Sequence, residues 1–209
     1  FNNPHYGGDG PMTNYFSLDY NDKGRWASYW HQIREVLELN PKKVLVIGKG
    51  DGIVPAYLKN LGLEVSTLDI DSSLGPDITA SVLHMPIEDN SFDVVLCTEV
   101  LEHLSYDEFS NALSEIRRIV KNMAIVSLPH FGPAIRIFLK IPFLPELKLI
   151  VKLPYPIKHR FKGEHRWEIG KKDYPLKLIK SEIVKSGFSI KNEYIVFENP
   201  LHHFFILKK

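Results

Sequence analysis

The sequence predicts an α/β fold in which a mostly parallel sheet, covered by helices on both faces, closes on an antiparallel hairpin. Three observations predict it. Apolar, β-branched bursts alternate with amphipathic segments from Lys43 to Leu128, an order that right-handed crossovers convert into a parallel sheet. The bursts Lys43–Ile47 and Phe92–Cys97 are near-continuously apolar, as expected of strands buried on both faces. The last two strand-like runs, Phe188–Phe197 and His203–Leu207, are separated by little more than Asn199-Pro200. A parallel return needs roughly a dozen residues, so these two must pair antiparallel.

The elements follow in order. Residues 1 to 21 are rich in Asn, Gly, Pro and Tyr and read as irregular. Asp22 suits the N-cap of a helix carrying Trp26, Trp30, Ile33 and Leu37 at helical spacing, ended by Asn40-Pro41. After the first strand comes a Gly-rich turn, then a helix from Ile53 to Leu61 with Gly62 as C-cap. Val65–Asp69 is a second strand and Asp77–Ala80 a short third. Ser105-Tyr106-Asp107-Glu108 is a capping box, and its helix carries Phe109, Leu113, Ile116 and Val120 on one face. Met123–Leu128 is a strand, and Asp173–Ser186 an amphipathic helix closed by Gly187.

At 209 residues the chain suits one domain with a substantial core. It divides into an N-terminal arm and helix (1–40), a central core (41–130), an insertion (131–165) and a final helix and hairpin (166–209). A net charge of +1 argues for neither nucleic acid nor an anionic membrane as partner of the molecule as a whole. Cys97 is the only cysteine, so no intrachain disulfide forms and a reducing, cytoplasmic setting is expected. Phe1-Asn2-Asn3-Pro4 has neither the basic nor the apolar stretch of a leader, and a start without Met leaves room for residues upstream. No run is apolar and long enough to span a bilayer.

The central motif is Val44-Leu45-Val46-Ile47-Gly48-Lys49-Gly50-Asp51-Gly52. Glycines between a strand and a helix let a ligand approach the backbone, and the helix N-terminus offers N–H groups to an anion. Asp69 ends the second strand about twenty residues on, where a carboxylate can accept from a ribose diol. A nicotinamide-type fingerprint wants a glycine where Ile53 stands, which disfavours a dinucleotide.

The motif resembles the glycine loop of the class I S-adenosylmethionine-dependent methyltransferases, type 11-like domains included. The likeness extends to Pro86-Ile87-Glu88-Asp89-Asn90-Ser91-Phe92-Asp93-Val94-Val95, to Glu99-Val100-Leu101-Glu102-His103-Leu104 and, more loosely, to Gly187-Phe188. The resemblance implies a Rossmann-like, doubly wound, seven-stranded mostly parallel sheet with a C-terminal antiparallel hairpin and a lid insertion before the last helix. It implies S-adenosylmethionine as cofactor, with Gly48, Lys49, Gly50 and Gly52 along its methionyl part and Asp69 on the ribose. Ile70, Ser81 and Val82 would then lie about the adenine, and Glu99 near the methionyl amine. Ser81 stands where many relatives carry Asp, and Lys49 where a small residue is usual.

Methyl transfer needs alignment, a dry pocket and, for a protonated acceptor, a base. The candidate bases are His130, at the carboxyl end of the fifth strand, and His165, in Gly163-Glu164-His165-Arg166-Trp167-Glu168. His103 reads as structural. Glu99, Glu102 and His103 form an E-x-x-E-H pattern similar to the Mg²⁺ site of small-RNA and ubiquinone-pathway O-methyltransferases; metal-independent transfer is nevertheless expected. Residues 131–163 carry seven basic side chains against one acid, a net +6 that leaves the rest of the chain at −5. Five prolines forbid one long helix there. This insertion is expected to recognise an acceptor with an anionic group and an apolar body, such as a small or lipid-linked molecule, or to meet a membrane interface. Lys148, Lys152 and Lys158 are its leading cations. Two other functions share the motif: a noncatalytic cofactor-binding subunit, and an aminopropyltransferase, whose Asp-rich segment is replaced here by Cys97-Thr98-Glu99-Val100-Leu101.

Overall fold

The computed structural model describes Tyr15, Ser17, residues 20–161 and residues 163–209. Most of the N-terminal arm expected to be irregular, and Lys162, lie outside these residues. The strands are β1 (Lys43–Ile47), β2 (Glu64–Asp69), β3 (Ile78–Thr79), β4 (Phe92–Thr98), β5 (Val120–Pro129), β6 (Ala134–Leu139), β7 (Leu147–Lys152), β8 (Ser189–Ile195) and β9 (His202–Lys208). The α-helices are α1 (Lys23–Glu38), α2 (Ile53–Asn60), α3 (Tyr106–Ile119) and α4 (Leu176–Lys185). Seven strands form one sheet in the order β3-β2-β1-β4-β5-β9-β8. The first five run parallel, and β9 is antiparallel to both β5 and β8. This is the expected architecture, terminal hairpin included. No helix among the described residues is long and apolar enough to cross a membrane.

Strand β1 lies in the interior of the sheet, between β2 and β4, and every residue from Val44 to Ile47 is buried. Leu45 and Ile47 pack with Val95, Cys97, Val126 and Phe205 against α3 and α4. Val44 and Val46 pack with Leu96, Ile125 and Phe204 in the layer holding α1 and α2. Each such side chain contributes about 1.5–3 kcal/mol by leaving water. The amino ends of the strands are tied by Asp93. Its Oδ2 accepts from the N–H groups of Lys42 (3.0 Å) and Lys43 (2.8 Å), and its Oδ1 from Lys121 Nζ (2.8 Å).

Three local expectations are corrected. Val120 belongs to β5, not to the preceding helix; a fully buried β-branched residue suits the strand equally well. Helix α4 starts at Leu176 rather than Asp173, because Pro175 holds the extended N-cap conformation. The Trp26, Trp30 and Leu37 stripe of α1 is exposed, with Trp26 at 51% and Trp30 at 57%. Instead α1 buries Ser28, Tyr29, Gln32, Glu35 and Val36. Its polar face is held by hydrogen bonds, among them Tyr194 Oη donating to Glu35 (2.8 Å) and Asn199 Nδ2 donating to Ser28 Oγ (3.3 Å). Among the described residues the proline-rich insertion forms no long helix, as expected, but a β-hairpin, β6 paired antiparallel with β7 as a separate two-stranded sheet.

Removal of the Asp93 carboxylate should loosen three strands at once. Asp93→Ala is expected to lower stability by about 1–2 kcal/mol and the melting temperature by roughly 3–6 °C. Lys121 and neighbouring backbone N–H groups hold its carboxyl below the usual range. Its contribution is therefore present above the unfolded carboxylate pKa and is lost as pH falls through the folded one. Thermal melts of both proteins at neutral and acid pH check this; equal melting at neutral pH would refute it.

Candidate active site

Strand β1 ends at Ile47, and the chain turns through Gly48, Gly50 and Gly52 at φ of +82°, +53° and +77°. At Gly48 a Cβ would sit 2.4 Å from Val100 Cγ2, whereas at Gly50 the nearest atom would be Tyr15 Cε1 at 4.0 Å. The first glycine is thus required by packing and the second leaves an open cradle. Gly52 is the N-cap of α2. Asp51 braces the turn, accepting from Ile53 N–H (3.1 Å) and Tyr29 Oη (2.7 Å).

The adjacent strand brings Asp69 to the same edge. Its Oδ2 accepts from Lys49 N–H at 2.7 Å and its Oδ1 from Asp71 N–H at 3.0 Å. The Lys49 ammonium donates to the carbonyls of Leu74 and Gly75, so it ties down the turn at Ser72–Leu74 and stays out of the cradle. Ile70 stands 75% exposed beside Asp69, and Val82 is buried. Ser81 Oγ accepts from Leu83 N–H at 3.2 Å. Glu99 follows β4 at φ +54°; Ser127 Oγ donates to its Oε1 at 2.8 Å, and His202 Nε2 lies 3.8 Å from its Oε2.

Beyond Glu99 a 3-10 turn, Leu101–His103, buries Glu102 completely. Neither of its carboxylate oxygens has a hydrogen-bond partner among the described residues. His103 Nε2 and His165 Nε2 each lie 3.9 Å from Oε1. Burial, and then the charge of Glu99, push the Glu102 carboxyl well above the carboxylate range. His165 is delivered from a distant segment by two contacts of its neighbour: Arg166 N–H donates to the Glu102 carbonyl (2.9 Å) and Arg166 Nε to the His103 carbonyl (3.1 Å). Trp167, wholly buried against Tyr106 and Phe109, locks this segment. A hydrogen bond to Glu168 (3.2 Å) raises the His165 pKa, whereas burial and the His165 charge lower that of His103. One donor atom each from Glu102, His103 and His165 lies within 4.8 Å of the other two. That set could hold a divalent cation.

His130 is not part of this cluster. Its Nδ1 lies 3.0 Å from His203 Nδ1 and the two rings stack. A Cβ at Gly170 would meet its ring at 3.2 Å. Burial and the Lys152 ammonium push its pKa down to about 4, and burial carries His203 to about 3. The two candidate bases therefore sit in separate environments. Lys148 and Lys152 are both engaged with the body of the protein: the exposed Lys148 Nζ donates to Glu198 (2.8 Å), and the half-buried Lys152 Nζ to the carbonyls of His130 and Gly132. Three contributors were missed from sequence. Tyr15 lay in an arm with no pattern, and His202 and His203 lie on the last strand, which only folding brings to this edge.

Residues 45–128 match the family described as a methyltransferase domain. An uncharacterized protein of Methanocaldococcus jannaschii is 42% identical over 92 residues. The match covers 40% of this chain and 39% of that protein's length. Among solved structures, the magnesium protoporphyrin IX methyltransferase of Synechocystis, with bound SAM, superposes with a TM-score of 0.61 at 16% identity. That superposition covers 97% of this chain and 86% of that one. The 1,6-didemethyltoxoflavin-N1-methyltransferase of Burkholderia thailandensis, bound to its substrate and S-adenosylhomocysteine, gives 0.56 at 15% identity, covering 97% and 93%. These two likenesses establish the fold.

The His130–His203 pair yields a test. Both imidazoles should stay neutral from pH 8 to about 5, because their folded pKa values lie near 4 and 3. Unfolded imidazoles titrate near 6.5, so the pair's stabilising contribution is complete above about 6.5 and is lost as pH falls toward 4. NMR titration of the histidine ring protons measures it directly; a midpoint near 6.5 for either ring would overturn the assignment.

Proposed function

We propose that this chain, a member of the class I methyltransferase family, transfers a methyl group from S-adenosylmethionine to a small-molecule acceptor with an anionic group and an apolar body. The observation that carries the reading is the hydrogen bond from the glycine loop to Asp69, which joins a Cβ-free cradle to a strand-end carboxylate at one edge of the sheet. Those are the features that a ligand with an amino-acid end and a ribose requires. The bound cofactor supplies an electrophilic methyl on a sulfonium. Gly50, Gly52 and the N-terminus of α2 meet the methionyl carboxylate, and Glu99 its amine. Asp69 retains lone pairs for the ribose diol; Ile70, Ser81 and Val82 frame the adenine. The acceptor lies toward His165, whose imidazole, oriented by Glu168, takes a proton if the acceptor carries one. His130, neutral and stacked, supports the end of β5.

Acceptor recognition falls to residues 153–161, held against this cluster by His159 Nε2 at 2.9 Å from the His165 carbonyl and by Lys172 N–H donating to the Ile157 carbonyl (3.0 Å). Lys158 and Arg160 are exposed there beside Ile157 and Phe161, a pairing of cation and apolar surface. Nucleic acid has no part in this reading, and the reaction is placed in the cytoplasm, in keeping with the single buried thiol of Cys97.

A second reading of the same reaction rests on Glu102. A buried, unpartnered carboxylate is costly unless it is protonated or balanced by a cation. Two imidazoles and one carboxylate suit Zn²⁺, Mn²⁺ or Fe²⁺ better than Mg²⁺. In that case Glu102, His103 and His165 hold the ion, which would polarise an acceptor oxygen.

Two measurements test these readings. Calorimetry should detect binding of S-adenosylmethionine and S-adenosylhomocysteine but not NAD, and Asp69→Ala should weaken cofactor binding roughly ten- to a hundredfold. Binding of NAD alone would refute the function. Turnover that survives EDTA selects the metal-free reading; loss on chelation with recovery in Mn²⁺ selects the second.

A further inference from the structure

The β6–β7 hairpin carries an amphipathicity that is inverted for a water-facing surface. Directly opposed residues of an antiparallel pair share a face, and the register opposes Ile135 to Val151, Ile137 to Leu149 and Leu139 to Leu147. All six side chains on this outer face are aliphatic, and each is 47–57% exposed. Arg136, Lys148 and Lys152 occupy the other face and bond to the body of the protein, whereas Lys140, Lys158 and Arg160 are left exposed. Arg136 Nη1 donates to the carbonyls of Phe197 (3.1 Å) and Glu198 (3.3 Å), while Lys148 and Lys152 make the contacts described above. At the apex, between Pro142 and Pro145, Phe143 projects with 105% exposure, with Ile141 and Leu144 beside it also exposed. Of the 22 large apolar side chains exposed among the described residues, 14 fall between Ile135 and Phe161. The patch is therefore a contiguous feature rather than the usual scatter of single residues.

We infer that this hairpin seats the protein on an anionic lipid bilayer, the Phe143 apex entering the headgroup region and the aliphatic face lying along the acyl boundary. Charge complementarity selects this occupant. The segment 131–163 is net +6 and the remainder of the chain −5, so an anionic surface attracts the hairpin and repels the body, fixing the orientation. A second copy paired through the same face would bring two +6 segments together. A protruding apex is also buried by a medium that deforms around it, which an interfacial bilayer does to a depth of roughly 5–10 Å.

The test uses the whole chain and needs neither cofactor nor turnover, so its failure is separable from failure of the proposed function. The protein is sedimented with vesicles of phosphatidylcholine alone and of phosphatidylcholine mixed with phosphatidylglycerol. It should bind the mixed vesicles at least roughly tenfold more tightly, and the advantage should shrink as salt rises. Phe143→Asp combined with Leu144→Asp alters only exposed apex residues. This variant should keep the parent melting temperature and cofactor affinity while losing most vesicle binding. The inference is overturned if neither vesicle binds, if the apex variant binds as well as the parent, or if sedimentation velocity reveals a dimer that the apex variant dissociates.

Discussion

The burial of β1 on both faces is the constraint on which the rest of the structure depends. Val44, Leu45, Val46 and Ile47 have no solvent-facing side, so β1 needs a helix layer above and below and a strand on each flank. Parallel register then levels the carboxyl ends: Ile47 pairs with Leu68 on β2 and with Cys97 on β4. Just past that height Gly48, Asp69 and, one residue further on after Thr98, Glu99 emerge on one edge. The Lys49–Asp69 hydrogen bond is a consequence of this levelling, and the requirement for glycine at position 48 is another, since Val100 closes over it from the end of β4.

The same edge gathers four buried titratable groups. Glu102, His130, His202 and His203 are all buried, and each would lose hydration if charged. Neutral imidazoles at His130 and His203 resolve that conflict by stacking and sharing a proton along their Nδ1 atoms. Glu102 has no such partner among the described residues. Two imidazole nitrogens stand 3.9 Å from its Oε1, and the charge of Glu99 opposes its ionisation.

Helix α1 and the β6–β7 hairpin share a second property: both turn polar atoms inward. They dock on the same neighbour, the turn and strand ends around Tyr194, Glu198 and Asn199. That neighbour presents hydroxyl, carboxylate, amide and carbonyl oxygen, so hydrogen bonding decides which face is buried, and the apolar stripes are left outward. The one opposes Trp26 and Trp30 to solvent; the other opposes six aliphatic residues.

Local pattern alone determined the strand–helix alternation, the parallel core, the antiparallel ending, and the glycine loop with its acidic partner. Each of these is governed by short-range physics: β-branched apolar runs, caps, positive φ at glycine, and connection length. The Asp22 and Ser105 caps are local too, and both are present. Only the tertiary structure decided which face of α1 packs inward, that the proline-rich insertion is a hairpin whose Arg136, Lys148 and Lys152 bond to the body, and that His165 rather than His130 meets Glu102. Those outcomes depend on partners 20 or more residues away, as with Glu102 and Arg166, separated by 64 positions. Hydrophobic periodicity reports that a face exists. Which surface receives it is set by the hydrogen-bonding groups of a neighbour that the chain reaches only after folding.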